Sequence, residues 1–168
     1  MTETISTRPD MKFLELRPEM AAAAAALIGE AMNPDEGTWA QVTIERHFGL
    51  RAKGFEDGRK YFALLVDETL VGITGLHHYE WGPDENVWLG WFAVSPGLQG
   101  HGLGVRLMAE TERAAKVFGY RKLFIETYTS TTFSRALRFY GKAGFRKAGV
   151  IENYLPDGSA MLVFLKEL

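Results

Sequence analysis

The sequence predicts an α/β domain in which a mixed sheet is covered by helices, and three observations predict it. Segments of strand-like and helix-like periodicity follow one another in the order β-α-α-β-β-β-α-β-α-β-β. The 168-residue length suits one domain with a real core and is short for two. No internal repeat, low-complexity linker or composition shift interrupts the chain. A polar tail over 1–11 and one domain over 12–168 are therefore expected.

The elements justify that order one by one. Lys12 to Leu16 alternates polar and apolar, as a half-buried strand does. Pro18 opens a helix that runs through the alanines 21–26, the best helix formers. Asn33-Pro34 breaks the pattern, and a second helix is expected over Trp39 to Arg51. Tyr61–Val66 and Leu70–Tyr79 form a hairpin around Asp67-Glu68-Thr69. A loop at Trp81–Asn86 leads into a strand at Val87–Val94. An amphipathic helix over Leu103–Phe118 ends at Gly119, which suits a C-terminal cap. Leu123–Tyr128 is a strand and Phe133–Lys142 a helix. Phe145–Ile151 and Met161–Leu165 close the chain as a strand pair.

Composition excludes several classes of function. With 19 basic and 21 acidic side chains the formal charge is −2, which offers no general attraction to nucleic acid or to anionic membrane. The absence of cysteine excludes disulfides, thiolate metal sites and an enzyme-bound thioester. His77 and His78 are adjacent on a strand and point to opposite faces, so they cannot chelate one ion together, and no metal site is expected. Residues 1–10 lack the apolar core of a signal peptide, and the apolar window 20–28 is far too short to span a bilayer. A soluble cytoplasmic protein is the expectation.

The most informative passage is Val94-Ser95-Pro96-Gly97-Leu98-Gln99-Gly100-His101-Gly102-Leu103-Gly104-Val105. A strand runs into a loop with glycines at 100, 102 and 104, and the loop opens a helix. Glycine lets main-chain N–H groups approach an anion closely, and a helix start adds unpaired donors and partial positive charge. Such a turn is a receptor for phosphate or diphosphate. The spacing matches neither a P-loop nor G-x-G-x-x-G. A tight connection that binds nothing is the alternative.

Gln99-x-x-Gly102-x-Gly104 resembles the Q/R-x-x-G-x-G/A signature of the GNAT superfamily of N-acetyltransferases. Ala136-Leu137-Arg138-Phe139-Tyr140-Gly141-Lys142-Ala143-Gly144-Phe145 is similar to that superfamily's second element, A-x-x-F/L-Y-x-K-x-G-F. The resemblance implies the GNAT fold: a mixed, mostly antiparallel sheet of about seven strands flanked by four helices, splayed between the fourth and fifth strands. It implies acetyl-CoA as co-substrate, its diphosphate on the amides of Gln99, Gly100, His101, Gly102, Leu103, Gly104 and Val105. The pantetheine arm would pair with the main chain of Phe92, Ala93 and Val94, and an N–H there would polarise the thioester carbonyl.

The chemistry then needs two proton transfers. An amine of pKa about 10.4 is protonated at pH 7, and deprotonating it costs roughly 4–5 kcal/mol. Tyr140, at the position where relatives place a tyrosine beside the CoA sulfur, is the candidate acid; the alternative is an aromatic that only packs. Glu126, in the otherwise apolar strand Leu123–Thr127, is the candidate base or amine anchor. An ion pair with Arg121 or plain exposure at the mouth of the splay are its alternatives.

Two departures from the family pattern stand out. Phe133 replaces the asparagine that many relatives use toward CoA, leaving Thr131, Thr132 or Ser134 to supply a hydroxyl. Trp88 stands where histone-type relatives carry a glutamate base; by strand alternation it shares a face with Gly90, Phe92 and Val94. Trp88 and His78, a second-choice base, are the acceptor-site candidates. In relatives the acceptor surface comes from the early helices and the late hairpin, which here hold Asp35, Glu36, Trp39, Glu152, Tyr154 and Asp157, with Asp84 and Glu85 in a nearby loop. Acids with aromatics suit a small cationic amine. A small-molecule amine is the expected acceptor. A protein amino terminus is the rival acceptor, and a catalytically silent acyl-CoA sensor is the alternative of another class. Met161–Leu165 could serve as an edge for a homodimer, which an edge alone does not establish.

Overall fold

The computed structural model describes residues 10–168. The expected tail lies outside the described residues as far as residue 9, and Met11 already begins the first strand. Seven strands and four α-helices follow: β1 (Met11–Glu15), α1 (Ala21–Ala31), α2 (Pro34–Ala52), β2 (Arg59–Val66), β3 (Thr69–His77), β4 (Asn86–Val94), α3 (Leu103–Val117), β5 (Lys122–Tyr128), α4 (Ser134–Lys142), β6 (Arg146–Ile151) and β7 (Met161–Glu167). Among the described residues no helix is long and apolar enough to cross a membrane.

The strands form one sheet in the order β1-β2-β3-β4-β5-β7-β6. Neighbours run antiparallel except β4 and β5, which run parallel. Asp67 and Glu68, both at positive φ, make the two-residue turn between β2 and β3. β7 is paired on both sides, by β5 and β6, so Met161–Leu165 is interior and the late edge of the sheet is β6 instead.

The break expected at Asn33-Pro34 is present, since α1 ends at Ala31, but the pair also starts α2, five residues before the expected point. The Asn33 side chain accepts a hydrogen bond from the Glu36 N–H at 2.9 Å, and Pro34 takes the first-turn position, where its missing N–H is harmless. This early start brings Glu36 into the second helix, with consequences for the site.

Helices cover both faces. Ala24, Ile28, Ala40 and Ile44 of α1 and α2 are fully buried against Tyr61, Ala63, Ile73 and Ala93 on one face. Met108, Ala115 and Tyr140 of α3 and α4 pack on Phe62, Leu76, Leu123 and Ile125 on the other. Burying each large aliphatic side chain of this kind stabilises the fold by about 1.5–3 kcal/mol.

β4 carries the feature that opens the site. Leu76 faces Leu89 and Thr74 faces Phe92, so two residues, Gly90 and Trp91, stand opposite the single Gly75. This β-bulge inserts one residue and reverses the alternation beyond it. Trp88 therefore lies on the α1–α2 face, whereas Phe92 and Val94 pack on the α3–α4 face, and the expected shared face is corrected. Glycines permit the close approach: a Cβ on Gly75 would stand 2.9 Å from the Tyr61 ring, and one on Gly90 would stand 3.4 Å from the Gly75 main chain. Trp91 is pinned by its indole N–H, which donates to the Thr43 hydroxyl of α2 at 2.9 Å.

Candidate active site

β4 and β5 stay paired only from Asn86–Lys122 to Trp88–Phe124, and then part. Beyond the bulge, β4 has its β5-facing edge free. Ser95 N–H donates to Val71 on β3, while Val94 C=O accepts from the Gln99 side chain at 3.0 Å. By alternation the main-chain groups of Phe92 and Val94 turn toward the gap, and those of Ala93 turn toward β3. Of the three residues expected to meet the pantetheine arm, Phe92 and Val94 turn main-chain polar groups into the gap and Ala93 does not.

A cleft of about 840 Å³ runs through this gap, from the α3–α4 face to the α1–α2 face. On the first side lies the glycine turn. Gly100 and Gly102 have φ of 82° and 83°, in the left-handed region that glycine occupies at little cost. Gly102 is the N-cap of α3 and has no side chain to cap it, and the first intrahelical bond is Arg106 N–H to Gly102 C=O. The amides of Leu103, Gly104 and Val105 are thus left without helical partners. Gln99 ties the turn to both walls: its amide nitrogen donates to Val94 and its oxygen accepts from Arg135 at 2.6 Å. Gln99, Gly100, Gly102, Gly104 and Val105 line the cleft; the Leu103 side chain packs into the core beneath, and His101 places its Nδ1 3.1 Å from Gln99 C=O. Arg135, Arg138 and Lys142, spaced along one side of α4, also line the cleft. This basic row is not among the site residues expected above, although the helical spacing 135-138-142 signals it.

Tyr140 lines the cleft from α4, on the α3–α4 face. Its ring is 6% exposed, caged by Phe92, Phe139, Phe145 and Phe164 at centroid distances of 5.8–6.4 Å. Burial pushes the phenol well above its ordinary pKa, so it keeps its proton at neutral pH.

The opposite mouth is aromatic and charged. Trp88 lines it, stacked on Phe124 at 5.0 Å, and Tyr79 meets Trp88 at 6.0 Å. Glu126 lies here too, exposed at the mouth of the splay as one of the alternatives has it, and no ion pair with Arg121 is found among the described residues. The reason is the splay: Phe124, Glu126 and Tyr128 share the face of β5 that looks into the opening. Tyr128 donates its hydroxyl proton to Glu126 Oε1 at 2.6 Å, leaving Oε2 for a second donor. Burial, with Glu126 next, pushes the Tyr128 pKa upward. Glu36 reaches the same mouth from the first turn of α2, half-buried; burial raises its pKa and Asp35 adds to this.

His78 is elsewhere. It lies on the α3–α4 face, stacked on Tyr120, with its Nδ1 2.9 Å from Asn86 C=O, and it does not line the cleft. Its neighbour His77 does line it, with a pKa lowered to about 4, first by burial and then by Arg59. Alternation separated the two histidines correctly; their faces could not be assigned without the register. Phe133, at the asparagine position, lines the same mouth as Glu126, 5.4 Å from Tyr128, and Tyr154 stacks on Tyr128 at 5.9 Å. Glu85 is engaged outside the cleft, paired with Lys122 at 2.7 Å, and Trp39 is exposed away from it. No group of three metal-ligating side chains occurs among the described residues.

A profile of the acetyltransferase (GNAT) family matches residues 24–145. The chain belongs to the GNAT family. This GNAT acetyltransferase is 34% identical over 135 residues to blasticidin-S acetyltransferase of Streptomyces morookaense, covering 80% of this chain and 92% of that protein. Among solved structures, a GNAT-family protein of Desulfovibrio desulfuricans matches with a TM-score of 0.83 at 24% identity, over 94% of this chain and 99% of the other. An aminoglycoside 6′-N-acetyltransferase complexed with coenzyme A matches with a TM-score of 0.73 at 15% identity, over 93% and 96%. At those identities the two structures establish the fold: the seven-stranded splayed sheet is that of the GNAT enzymes.

Proposed function

We propose that this enzyme transfers an acetyl group from acetyl-CoA directly to a primary amine of a small molecule. The observation that carries the reading is one continuous cleft with unpaired helix amides at one mouth and carboxylates with aromatic rings at the other. The relative that acts on blasticidin S, by its name, supports a small-molecule acceptor.

The residues present fit acetyl-CoA. The free amides at the start of α3 and the basic row of α4 suit a diphosphate and a further phosphate, and the free edge of β4 suits an amide-bearing arm. The thioester supplies an activated acyl carbon and a thiolate leaving group. Phe92 N–H, aimed into the gap, is the donor for the oxygen that gains charge at the tetrahedral stage. Glu126 Oε2 takes the ammonium and accepts its proton, which water at the exposed mouth carries off. As the N–C bond forms and the C–S bond breaks, Tyr140 gives its proton to sulfur and regains one afterwards.

Free-thiol release from acetyl-CoA, followed over blasticidin S, aminoglycosides, amino acids and short peptides, tests the reading. The expected result is turnover with a small amine at a kcat/KM of about 10⁴ M⁻¹s⁻¹ or more for the best acceptor. Thiol release with peptides alone would favour the amino-terminal acetyltransferase. Binding of CoA with no release across the panel would favour the sensor.

A further inference from the structure

We propose that the acceptor is a zwitterion: besides its amine it carries a carboxylate, which Arg59 holds at the far end of the aromatic floor. This deepens the acetyl-transfer reading and rests on it.

The register lays the site out as a row. Arg59 on β2 faces His77 on β3, His77 faces Trp88 on β4, and Trp88 faces Phe124 on β5. All four lie on the α1–α2 face, and the first three line the cleft. Tyr79 stands between the two charged ends, in the field of both Glu126 and Arg59. The cationic group of an acceptor belongs at Glu126 and Glu36. A cation at the other end of the same floor calls for an anion on the same molecule.

Arg59 is built into place. Asp57 Oδ1 accepts the Arg59 main-chain N–H at 3.0 Å and lies 2.8 Å from His47 Nδ1. His47 is 1% exposed and sealed by Tyr61 and Phe48, so this anchor is part of the core. Asp57 Oδ2 stands 3.9 Å from Arg59 Nε, beyond hydrogen-bond range, and no other carboxylate lies within ion-pair distance of the guanidinium among the described residues. The Tyr61 hydroxyl is the other polar neighbour of the guanidinium, so no anion but the distant Asp57 Oδ2 competes with a ligand carboxylate for its donors. A carboxylate there gains two parallel charge-assisted hydrogen bonds, a geometry lysine cannot reproduce. His77, neutral beside it, adds a hydrogen-bonding group without a second charge.

The row also sets the distance. Arg59 and Phe124 are three strand intervals apart, about 14 Å between main chains. Side chains stand nearly upright on a sheet, so the charges are held well beyond the single-carbon separation of an α-amino acid. The fitting acceptor is an extended or ring-containing molecule with amine and carboxylate at opposite ends, its flat middle lying along Tyr79 and Trp88.

The test uses matched probes, 4-(aminomethyl)benzoate and 4-(aminomethyl)benzamide, with the intact enzyme and acetyl-CoA. Wild type is expected to show kcat/KM about 10-fold or more higher for the carboxylate than for the amide, and Arg59→Gln to bring the two within about twofold. Arg59→Lys keeps the charge but loses the fork, and should retain about a threefold preference. Equal kcat/KM for the two probes in wild type, or a preference that survives Arg59→Gln, overturns the zwitterion while leaving acetyl transfer standing. If neither probe releases thiol, the part of the tryptophan fluorescence quenching by each probe that Trp88→Phe removes, among the four tryptophans of the chain, reads the subsite without turnover. Tighter binding of the carboxylate, lost in Arg59→Gln, supports the proposal; equal binding overturns it.

Discussion

Tyr140→Phe is expected to lower kcat for acetyl transfer by about 10²–10⁴-fold, the range of a lost general acid. The affinity for acetyl-CoA should stay within about threefold, because the substitution removes one oxygen and keeps the ring. That ring is what packs: Phe92, Phe139, Phe145 and Phe164 surround it and touch carbon. Burial in this cage holds the phenol protonated throughout the neutral range, which a donor to a departing thiolate requires and a base does not. Thiol-release kinetics and a binding isotherm on the same preparation separate the two effects. A purely structural Tyr140 would show near-normal turnover in the phenylalanine variant.

Gly102→Val is expected to weaken acetyl-CoA binding by about 10²-fold, the equivalent of one or two charge-assisted hydrogen bonds. No atom stands within 4 Å of the place a Cβ would occupy, so the effect is not a clash. It arises in the main chain: at φ of 83° a β-branched residue is strained by about 1–2 kcal/mol, and relief of that strain turns the amides of Leu103–Val105 away from their common focus. Gly97→Ala in the same loop is the control, since Gly97 has open space around it and no positive φ. Calorimetric titration with acetyl-CoA should separate the two variants, with the Gly97 variant within about twofold of wild type.

The passages that announce this site are those whose chemistry is local. The glycine turn is legible because close approach to an anion demands glycine at fixed positions directly before a helix, and residues 99–105 carry that demand in a row. Tyr140 is legible through its own ten-residue context. What stayed hidden depends on register. The bulge at Gly90–Trp91 adds one residue to β4, and one residue is enough to move Trp88 to the face opposite Phe92. His77 and His78 were separable by alternation, but which one enters the cleft follows from pairing with Trp88. Glu126 stands in a strand that is apolar on both sides of it, so its alternatives stayed open; the parting of β4 and β5 exposes it, and pairing between strands is not written in either strand alone. Arg59 was hidden for the same reason, being three strand intervals from Glu126 on β5. Glu36 is among the acids the sequence places on the early helices, and only its seat in the first turn of α2 depends on the Asn33 cap, a breaker in composition and a helix start in geometry.

The free amides at the head of α3 are the proposed seat of the diphosphate, and calorimetry with coenzyme A and with pantetheine, which lacks the diphosphate, tests them most directly. Coenzyme A is predicted to bind about 10²-fold or more tightly than pantetheine, with the difference shrinking in Gly102→Val. Equal affinity for the two compounds, or no association of coenzyme A with the wild-type protein, would contradict it.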